Sequence, residues 1–293
     1  MENNKYDVII IFINYNSGDV LINAINSISD DYSKYKIIVL DNFSTDNSLE
    51  YINSINQEIE VIRSDENHGF AKGCNIVFQY AIEKFEFSYF LLLNPDAIFP
   101  KNLTSNLITE LDNHKNAGLI SPKITFPDGC NWYSGAKINW KKLKIDNNPF
   151  SNDNTSKEVD IFNGCTVLIK KQIIEKYNGF NEHLFMYYDE AEFSLKLSKN
   201  NVKIIYTPLL SVKHIVSYSN KSTSHLSAYY LTRNYLYTFI KNNKYNKIIS
   251  LIIMSMNIFR NNLSLAKNLK FKNMYYSFKG VFHFLINKMG KYE

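Results

Sequence analysis

The segment Val8–Ile13 reads VIIIFI and is followed at once by the polar residues Asn14-Tyr15-Asn16. A short run of apolar, mostly β-branched residues is typical of a strand that is covered on both faces of its sheet. The same arrangement occurs twice more, with Ile37–Leu40 before Asp41 and with Tyr89–Leu93 before Asn94-Pro95-Asp96. Because ligands of an open α/β sheet bind outside the carboxyl ends of its strands, we expect these polar clusters to form one site.

Segments with helical spacing separate the apolar runs. After the second run, for example, Thr45 or Asp46 is placed to cap a helix that would present Leu49, Ile52 and Ile55 on one face. Regular alternation of strands and helices predicts an α/β fold with a mostly parallel central sheet, flanked by helices and connected by right-handed crossovers.

The second half of the chain is less regular. Residues 126–158 are rich in Asn, Asp, Lys and Gly and are predicted to form a loop. A later strand is predicted over Val202–Tyr206, ending before Pro208, since proline cannot donate a ladder hydrogen bond.

Composition and charge limit the class of protein. The three cysteines among 293 residues lack metal-ligand spacing, which favours free thiols in a reducing compartment. The sequence shows no secretory leader and no run near the ~20 apolar residues that a membrane-spanning helix needs. We therefore expect a cytoplasmic protein, and nothing in the pattern indicates a nucleic-acid partner.

The net charge of +5 is divided unevenly along the chain. Residues 1–225 carry 22 Lys and Arg against 27 Asp and Glu, whereas residues 226–293 carry 11 against one. This division predicts two domains with a boundary near residue 225, the second being basic and helical. Its basic, apolar helices indicate either an anionic membrane surface or an oligomerisation region that packs on the body or forms a homodimer.

Two carboxylates at predicted strand ends are candidates for ligand binding. Asp41 is positioned to accept hydrogen bonds from a nucleobase or a ribose, although an Asx-turn would use the same oxygens. Asp96 is positioned to hold a divalent cation whose shell a diphosphate would complete, which suits Mg²⁺ or Mn²⁺. The alternative for Asn94-Pro95-Asp96 is an ordinary turn.

A third acidic cluster, Asp189, Glu190 and Glu192, directly follows the aromatic segment Phe185–Tyr188. Partly desolvated carboxylates have raised pKa values and serve as general bases, but acids are also favoured in the first turn of any helix.

The remaining candidates are weaker when each is taken alone. Asn67, Gly69 and Lys72 lie at a loop-to-helix start that suits either a phosphate or a packing turn. His214 follows a strand as a lone histidine, a position that is more often structural than ligating. Trp132, in the polar segment, suits either stacking on a sugar or packing.

The order of these motifs resembles the family 2 glycosyltransferases of GT-A fold, and within them the rhamnosyltransferase-like branch. The resemblance covers about residues 6–240 and is specific through the ordered set, since each motif alone is common. The motifs are Asn14-Tyr15-Asn16, Asp41–Asp46, Asn67-His68-Gly69-Phe70, Leu93–Ala97, Asn163-Gly164-Cys165, Gly179–Glu182, Phe185–Glu190 and His214.

The resemblance implies a nucleotide-sugar donor, a divalent cation and inversion at the anomeric carbon. It makes Asp41 the nucleoside-binding acid, Asp96 the metal-binding acid of an Asp-x-Asp element, and His214 a late contact to metal or diphosphate. Donor-binding positions would then include Asn14, Tyr15, Asn16, Asn67, Gly69, Lys72 and Asn94. We expect acceptor contacts from Trp132, Gly164 and Arg233.

Two departures from the family pattern matter. Asn94 replaces the first acid of the Asp-x-Asp element, which leaves one carboxylate for the cation. The catalytic pair of the family usually reads Glu-Asp, whereas here it reads Asp189-Glu190. By position Glu190 is the base, but its extra methylene moves the carboxylate by about 1 Å, a displacement that can cost on the order of 10²-fold in rate. An adjusted Glu190, a substituted Asp189 or low activity remain the alternatives, and we favour Glu190.

The sequence thus predicts an inverting glycosyltransferase that moves a sugar from dTDP-rhamnose or a UDP-hexose to a glycan or lipid-linked glycan in bacterial surface polysaccharide synthesis. Two alternatives are a protein that binds sugar nucleotides without catalysis and a nucleotidyltransferase.

Overall fold

The computed structural model describes residues 5–29, 34–50, 52, 58–215, 225–242 and 245–292. Its strands are β1 (Val8–Asn14), β2 (Tyr35–Asp41), β3 (Ile59–Arg63), β4 (Tyr89–Leu93), β5 (Ala97–Ile98), β6 (Ala117–Thr125), β7 (Asn131–Tyr133), β8 (Ala136–Asn139), β9 (Lys144–Asn147), β10 (Lys157–Val159), β11 (Thr166–Lys170) and β12 (Lys203–His214). Its helices are α1 (Val20–Asn26), α2 (Gly69–Lys84), α3 (Leu103–Asp112), α4 (Lys171–Tyr177), α5 (Asp189–Ser198), α6 (His225–Lys241), α7 (Lys247–Lys267) and α8 (Phe271–Leu285).

Ten of the strands form one sheet in the order β10-β12-β6-β11-β4-β1-β2-β3, with β5 paired to β12 and β7 paired to β6. Strands β1 to β4 are mutually parallel, as the sequence pattern predicts. Strand β11 lies antiparallel between β4 and β6, so the sheet as a whole is mixed. The α/β architecture with helices on both sides and a helical C-terminal region is confirmed.

Strand β1 is the centre of the core. Its residues Val8 to Phe12 are completely buried, because β2 and β4 pair with its two edges and helices cover its faces. The register places Asn14 directly opposite Asp41. The polar residues that end these two strands therefore lie side by side, as expected from the apolar runs.

Three local predictions are wrong. Turns follow β2 through Glu50 in place of the predicted start of a helix, and Asp46 accepts hydrogen bonds from the backbone of Gly18 and Ser48. The Ile52 N–H donates to the Leu49 carbonyl oxygen in a 3-10-type turn, while residues 51 and 53–57, with Ile55, lie outside the described residues. The segment 126–158 contains the short strands β7 to β9 and the start of β10. Strand β12 continues past Pro208 to His214 because a register shift between Thr207 and Ser211 accommodates the proline.

The C-terminal helices pack against the body and against one another, and the boundary near residue 225 stays a prediction. Helix α7 corrects the expectation that no segment is long enough to cross a membrane. Among the described residues it alone has the length and composition for this, with 21 residues and a mean hydropathy of 1.3 in its most apolar window, of which 17% is buried.

Candidate active site

Hydrogen bonds between polar side chains connect the ends of β1 and β2. The Asn14 side-chain amide donates to Asp41 Oδ1 at 3.2 Å and to Ser48 Oγ at 2.8 Å, and the Ser44 N–H also donates to Asp41 Oδ1 at 3.3 Å. Both Asn14 and Asp41 are buried, whereas Tyr15 beside them is half exposed. The turn that was the alternative for Asp41 is therefore present, and its role toward a nucleoside stays a prediction.

Asn16 connects the loop after β1 to the loop after β2. Its side-chain oxygen accepts a hydrogen bond from the Thr45 N–H at 2.7 Å, and its own N–H donates to Ser44 Oγ at 3.0 Å. Its backbone has a left-handed conformation with φ of 53°. Asn16 thus holds the two strand-end loops together, independently of any ligand.

The loop before α2 packs tightly against the segment that carries the acidic cluster. The Phe70 N–H donates to the Phe185 carbonyl oxygen at 2.8 Å, and a Cβ on Gly69 would lie 2.2 Å from that same oxygen. Gly69 has φ of +76°, so only glycine fits here without strain. Asn67 accepts a hydrogen bond from the Gly69 N–H at 2.8 Å, and Lys72 is partly buried one turn further along. The packing-turn alternative for this loop is therefore present in the structure.

Asp96 and His214, 118 residues apart, lie in direct contact. His214 Nε2 is 2.9 Å from Asp96 Oδ1, and the Ile215 N–H donates to the Asp96 carbonyl oxygen at 2.7 Å. The antiparallel pairing of β5 with β12 brings them together, with His214 opposite Ala97. The Trp132 ring packs edge-on against the His214 ring, with centroids 4.9 Å apart.

These residues fit a hard divalent cation only as part of a larger ligand set. Among the described residues there is no group of three His, Cys, Asp or Glu side chains that would hold a metal by itself. One carboxylate plus donor phosphates is, however, a usual way of binding Mg²⁺, and an imidazole adds one further donor atom. Asp96 and His214 would hold the ion, with the diphosphate completing its shell.

A cleft of about 1060 Å³ is lined by six of the fifteen predicted site residues, namely Asn94, Trp132, Gly164, Asp189, Glu190 and His214. The other nine do not line it, namely Asn14, Tyr15, Asn16, Asp41, Asn67, Gly69, Lys72, Asp96 and Arg233. Glu190 lies against Gly164, where a Cβ would come within 2.6 Å of Glu190 Oε1. The Glu190 carboxylate can occupy this position because residue 164 has no side chain.

The two adjacent acids differ in exposure. Glu190 is partly exposed at the cleft wall, whereas Asp189 is 1% exposed and its Oδ1 has no hydrogen-bond partner among the described residues. Burial raises the pKa of Glu190, an effect that the backbone N–H groups of Glu190 and Gly164 oppose. Burial and the neighbouring Glu190 raise the pKa of Asp189 well above its usual value. Asp189 is thus a poorly solvated carboxyl within the cleft wall.

The segment before α5 has an unusual backbone. Phe185, Tyr187 and Tyr188 all have φ between 65° and 68°, a region that costs a non-glycine residue about 1–3 kcal/mol unless its surroundings fix it. The Asn234 side-chain amide donates to three carbonyl oxygens of this segment, those of Leu184 (2.9 Å), Met186 (2.8 Å) and Tyr187 (3.0 Å).

Arg233 does not face the cleft, which corrects its assignment as an acceptor residue. It is completely buried, and its guanidinium donates to the carbonyl oxygens of Leu184 (3.0 Å) and Gly290 (2.8 Å) and stacks near Tyr229 and Tyr230. The guanidinium also donates to Asn234 Oδ1 (3.0 Å) and Tyr229 Oη (3.1 Å), so four hydrogen bonds compensate the burial of this cation. Arg233 therefore joins the C-terminal region to the segment that leads into Asp189.

Sequence analysis missed one wall of the cleft. Asn257, Ile258, Arg260 and Asn261 of α7 line it, and the Asn257 amide donates to the Lys142 carbonyl oxygen and to Tyr235 Oη, both at 2.9 Å. No local signal distinguishes these residues from the rest of an apolar helix, because only tertiary packing decides which side of α7 meets the body.

Comparison with known proteins places the fold. The profile of the family described as "Glycosyl transferase family 2" matches residues 8–177. The low-salt glycan biosynthesis hexosyltransferase Agl10 of Haloferax volcanii is 26% identical over 201 residues, which cover 68% of this chain and 64% of the relative. The rhamnosyltransferase WbbL of Escherichia coli is 26% identical over 233 residues, covering 73% of this chain and 86% of WbbL.

Solved structures agree at the level of fold. The mannosyltransferase PcManGT of Pyrobaculum calidifontis, in complex with GDP-Man and Mn²⁺, superposes with a TM-score of 0.61 at 15% identity, covering 98% of this chain and 89% of that one. GalNAc-T7 with UDP, GalNAc and Mn²⁺ gives a TM-score of 0.62 at 16% identity, covering 78% of this chain but only 47% of that one. The GT-A architecture is thereby confirmed.

Proposed function

The chain belongs to glycosyl transferase family 2, and on that premise we propose that it is a metal-dependent, inverting glycosyltransferase. The observation that carries the proposal is a single cleft lined by Glu190 and His214, with His214 bonded to Asp96. This arrangement provides a proton acceptor and a site for an anionic leaving group in one cavity.

In the proposed reaction an acceptor hydroxyl oxygen attacks the anomeric carbon from the face opposite the leaving group. The bond from that carbon to the diphosphate oxygen breaks, and the nucleoside diphosphate leaves. Glu190 takes the hydroxyl proton. Its exposure to the cleft, in contrast to the burial of Asp189, supports Glu190 as the base, and a raised pKa improves a carboxylate as a proton acceptor.

The donor would lie between the strand ends and Glu190. We assign nucleoside contacts to Asn14, Tyr15 and Asp41, and diphosphate contacts to Asn94, Asp96 and His214. A bound Mg²⁺ or Mn²⁺ supplies positive charge that stabilises the leaving diphosphate. Trp132 beside His214 provides an aromatic wall against which a sugar face can pack.

The relatives guide the choice of substrates. They include a hexosyltransferase and a rhamnosyltransferase, and the superposed structures contain UDP or GDP-Man. We therefore propose dTDP-rhamnose or a UDP-hexose as donor and a glycan or lipid-linked glycan as acceptor, in bacterial surface polysaccharide synthesis in the cytoplasm. The chain spans 64% of the haloarchaeal relative, so these substrates are proposals for the chain itself.

The experiment is a donor screen. Purified protein is incubated with dTDP-rhamnose, UDP-GlcNAc or GDP-mannose, with Mn²⁺, Mg²⁺ or a chelator, and release of the nucleoside diphosphate and sugar transfer are followed. We expect turnover with one donor that requires the cation and is lost in Asp96→Ala, whereas the control Glu175→Gln on α4, which does not line the cleft, remains active. Chelator-resistant turnover equal in Asp96→Ala would contradict the metal role.

The swapped order of Asp189 and Glu190 favours one alternative, a protein that binds sugar nucleotides without catalysis. It predicts that a donor raises the melting temperature while no product forms. Release of inorganic diphosphate from a nucleoside triphosphate would instead indicate a nucleotidyltransferase, and the same assay distinguishes it.

A further inference from the structure

Helices α7 and α8 expose many large apolar side chains while several of their small or polar residues are buried. The buried residues are Ser250, Met254 and Asn262 on α7 and Ser277, Gly280 and His283 on α8, and the partly buried Ile253, Ile258, Val281 and Phe284 also pack against the core. The side that faces outward carries large apolar residues. We call it the outer face and define it by Ile248, Ile252 and Phe259 of α7 and Phe271, Phe278 and Phe282 of α8, each more than half exposed.

The inner sides are held by hydrogen bonds and by close backbone approach. Thr232 Oγ1 of α6 lies 2.9 Å from Ser277 Oγ, which also accepts from the Asn262 amide at 3.2 Å. Tyr229 Oη lies 2.8 Å from His283 Nδ1. A Cβ on Gly280 would come within 2.6 Å of the Tyr229 carbonyl oxygen, so α6 and α8 touch through their backbones.

Small residues and hydrogen bonds between helices, with large apolar side chains pointing away, are the distribution found where the surroundings are hydrocarbon. In water the same sequence would gain more by burying its phenylalanines and isoleucines than its serines and asparagines. An exposed apolar surface of this extent marks an interaction site.

Charge distinguishes the two candidate partners, lipid and a second copy of the chain. From Leu226 to Tyr292 there are 11 Lys and Arg and no acid. Exposed Lys267 and Lys272 flank the turn between α7 and α8, where Leu269 is 77% exposed. Two copies joined through this surface would bring like charges together, whereas an anionic leaflet attracts each cation near its surface.

We propose that the outer face lies in the interface of an anionic membrane, with α7 and α8 parallel to its plane. Helix α7 has the length to cross a bilayer, but the Asn257 hydrogen bonds to Lys142 and Tyr235 hold its inner side on the body along the cleft. Because α7 lines the cleft with one side and carries the outer face on the other, the cleft would lie about one helix diameter, roughly 10 Å, from the membrane surface. That position suits an acceptor carried on a lipid, a consequence that rests on the proposed function.

The test is flotation with vesicles, which needs neither donor nor transfer and is therefore independent of the proposed function. Full-length protein is mixed with phosphatidylcholine vesicles with or without phosphatidylglycerol, at low and high salt. We expect flotation with the anionic vesicles at low salt, weakening as salt screens the lysines. The triple variant Ile252→Ser, Phe259→Ser, Phe282→Ser should bind at least about tenfold more weakly, since each side chain loses its apolar transfer energy. The control Leu209→Ser removes an equally exposed apolar residue from β12 and should bind like the wild type.

A second measurement reports the depth of the helix. With brominated lipids in the vesicles, tryptophan fluorescence should be quenched beyond the level of the wild type, which contains Trp132 and Trp140, in Phe259→Trp but not in Leu209→Trp. Absence of flotation, equal flotation by the triple variant, or equal quenching at the two positions would overturn the proposal. A dimer in solution that the triple variant dissociates, without vesicle binding, would assign the outer face to a second copy instead.

Discussion

Replacement of Asn234 by alanine tests how the site is held. The Asn234 amide is completely buried and, with Arg233, connects α6 to the left-handed segment before α5. In Asn234→Ala the carbonyl oxygens of Met186 and Tyr187 lose the hydrogen bonds from this amide, and the buried Arg233 Nε–H loses its acceptor, Asn234 Oδ1. The Leu184 carbonyl oxygen keeps its bond from Arg233. An unsatisfied buried group costs about 1–3 kcal/mol, and both carbonyls are only partly buried. We therefore expect a loss of about 2–3 kcal/mol in the free energy of unfolding.

The same change should reduce catalysis beyond its effect on stability. Without Asn234 the strained backbone at Tyr187 and Tyr188 is free to relax, and Glu190 follows two residues later. A displacement of about 1 Å at a reacting group costs on the order of 10²-fold in rate. We expect kcat to fall by about that factor while the KM for the donor is unchanged, because the residues assigned to the donor lie on other loops.

The assay combines urea unfolding, followed by circular dichroism, with steady-state transfer kinetics below the onset of unfolding. Asn242→Ala is the matched control, since among the described residues the amide of this buried asparagine, just after α6, donates to the Thr238 carbonyl oxygen and to no other group. The free energy of unfolding of Asn242→Ala should fall by about 1 kcal/mol or less, and its kcat should be unchanged. If Asn234→Ala and Asn242→Ala behave alike in both measurements, the reasoning about the segment before α5 is refuted.

Three further predictions follow from close contacts and burial. Gly69→Ala should prevent the loop from packing and lower the melting temperature far more than Gly18→Ala, which has a similar positive φ but nothing within 4 Å of its Cβ; equal melting temperatures would contradict the packing argument. Gly164→Ala should displace Glu190, a flexible side chain, and therefore reduce kcat with little change in thermal stability; unchanged kinetics would contradict the contact. The pKa of Asp189 is raised well above its usual value in the folded state, so stability falls as pH rises from the usual carboxyl pKa to the raised one, and Asp189→Asn should flatten this decline in urea titrations run upward from about pH 4. An unchanged slope would contradict it.

The parallel half of the sheet is predictable because its strands are covered on both faces. Strands buried on both faces need continuous apolar runs, and Val8–Ile13 and Tyr89–Leu93 are runs of this kind. The juxtaposition of Asn14 and Asp41 then follows from parallel pairing. Strands β7 to β9 are short and carry Asn and Lys, so their pattern does not differ from that of a polar loop.

The contact between Asp96 and His214 could not be predicted from the sequence around either residue. It depends on β5, a strand of two residues, and on a β12 that continues through Pro208 by means of a register shift. Likewise, the apolar content of α7 predicts a helix but does not reveal which of its apolar residues face outward. The order of motifs along the chain supplied what spacing could not, since it grouped distant residues into one site.

The most direct test of the central claim is the comparison of donor binding and transfer in Glu190→Gln. Donor affinity is measured by calorimetry with the cation present, and transfer is measured with the donor that the screen identifies. We predict unchanged affinity and a loss of transfer of about 10²–10⁴-fold, because glutamine keeps the shape of the side chain but cannot accept the hydroxyl proton. Transfer by Glu190→Gln at the wild-type rate would contradict the assignment of this cleft as the catalytic site.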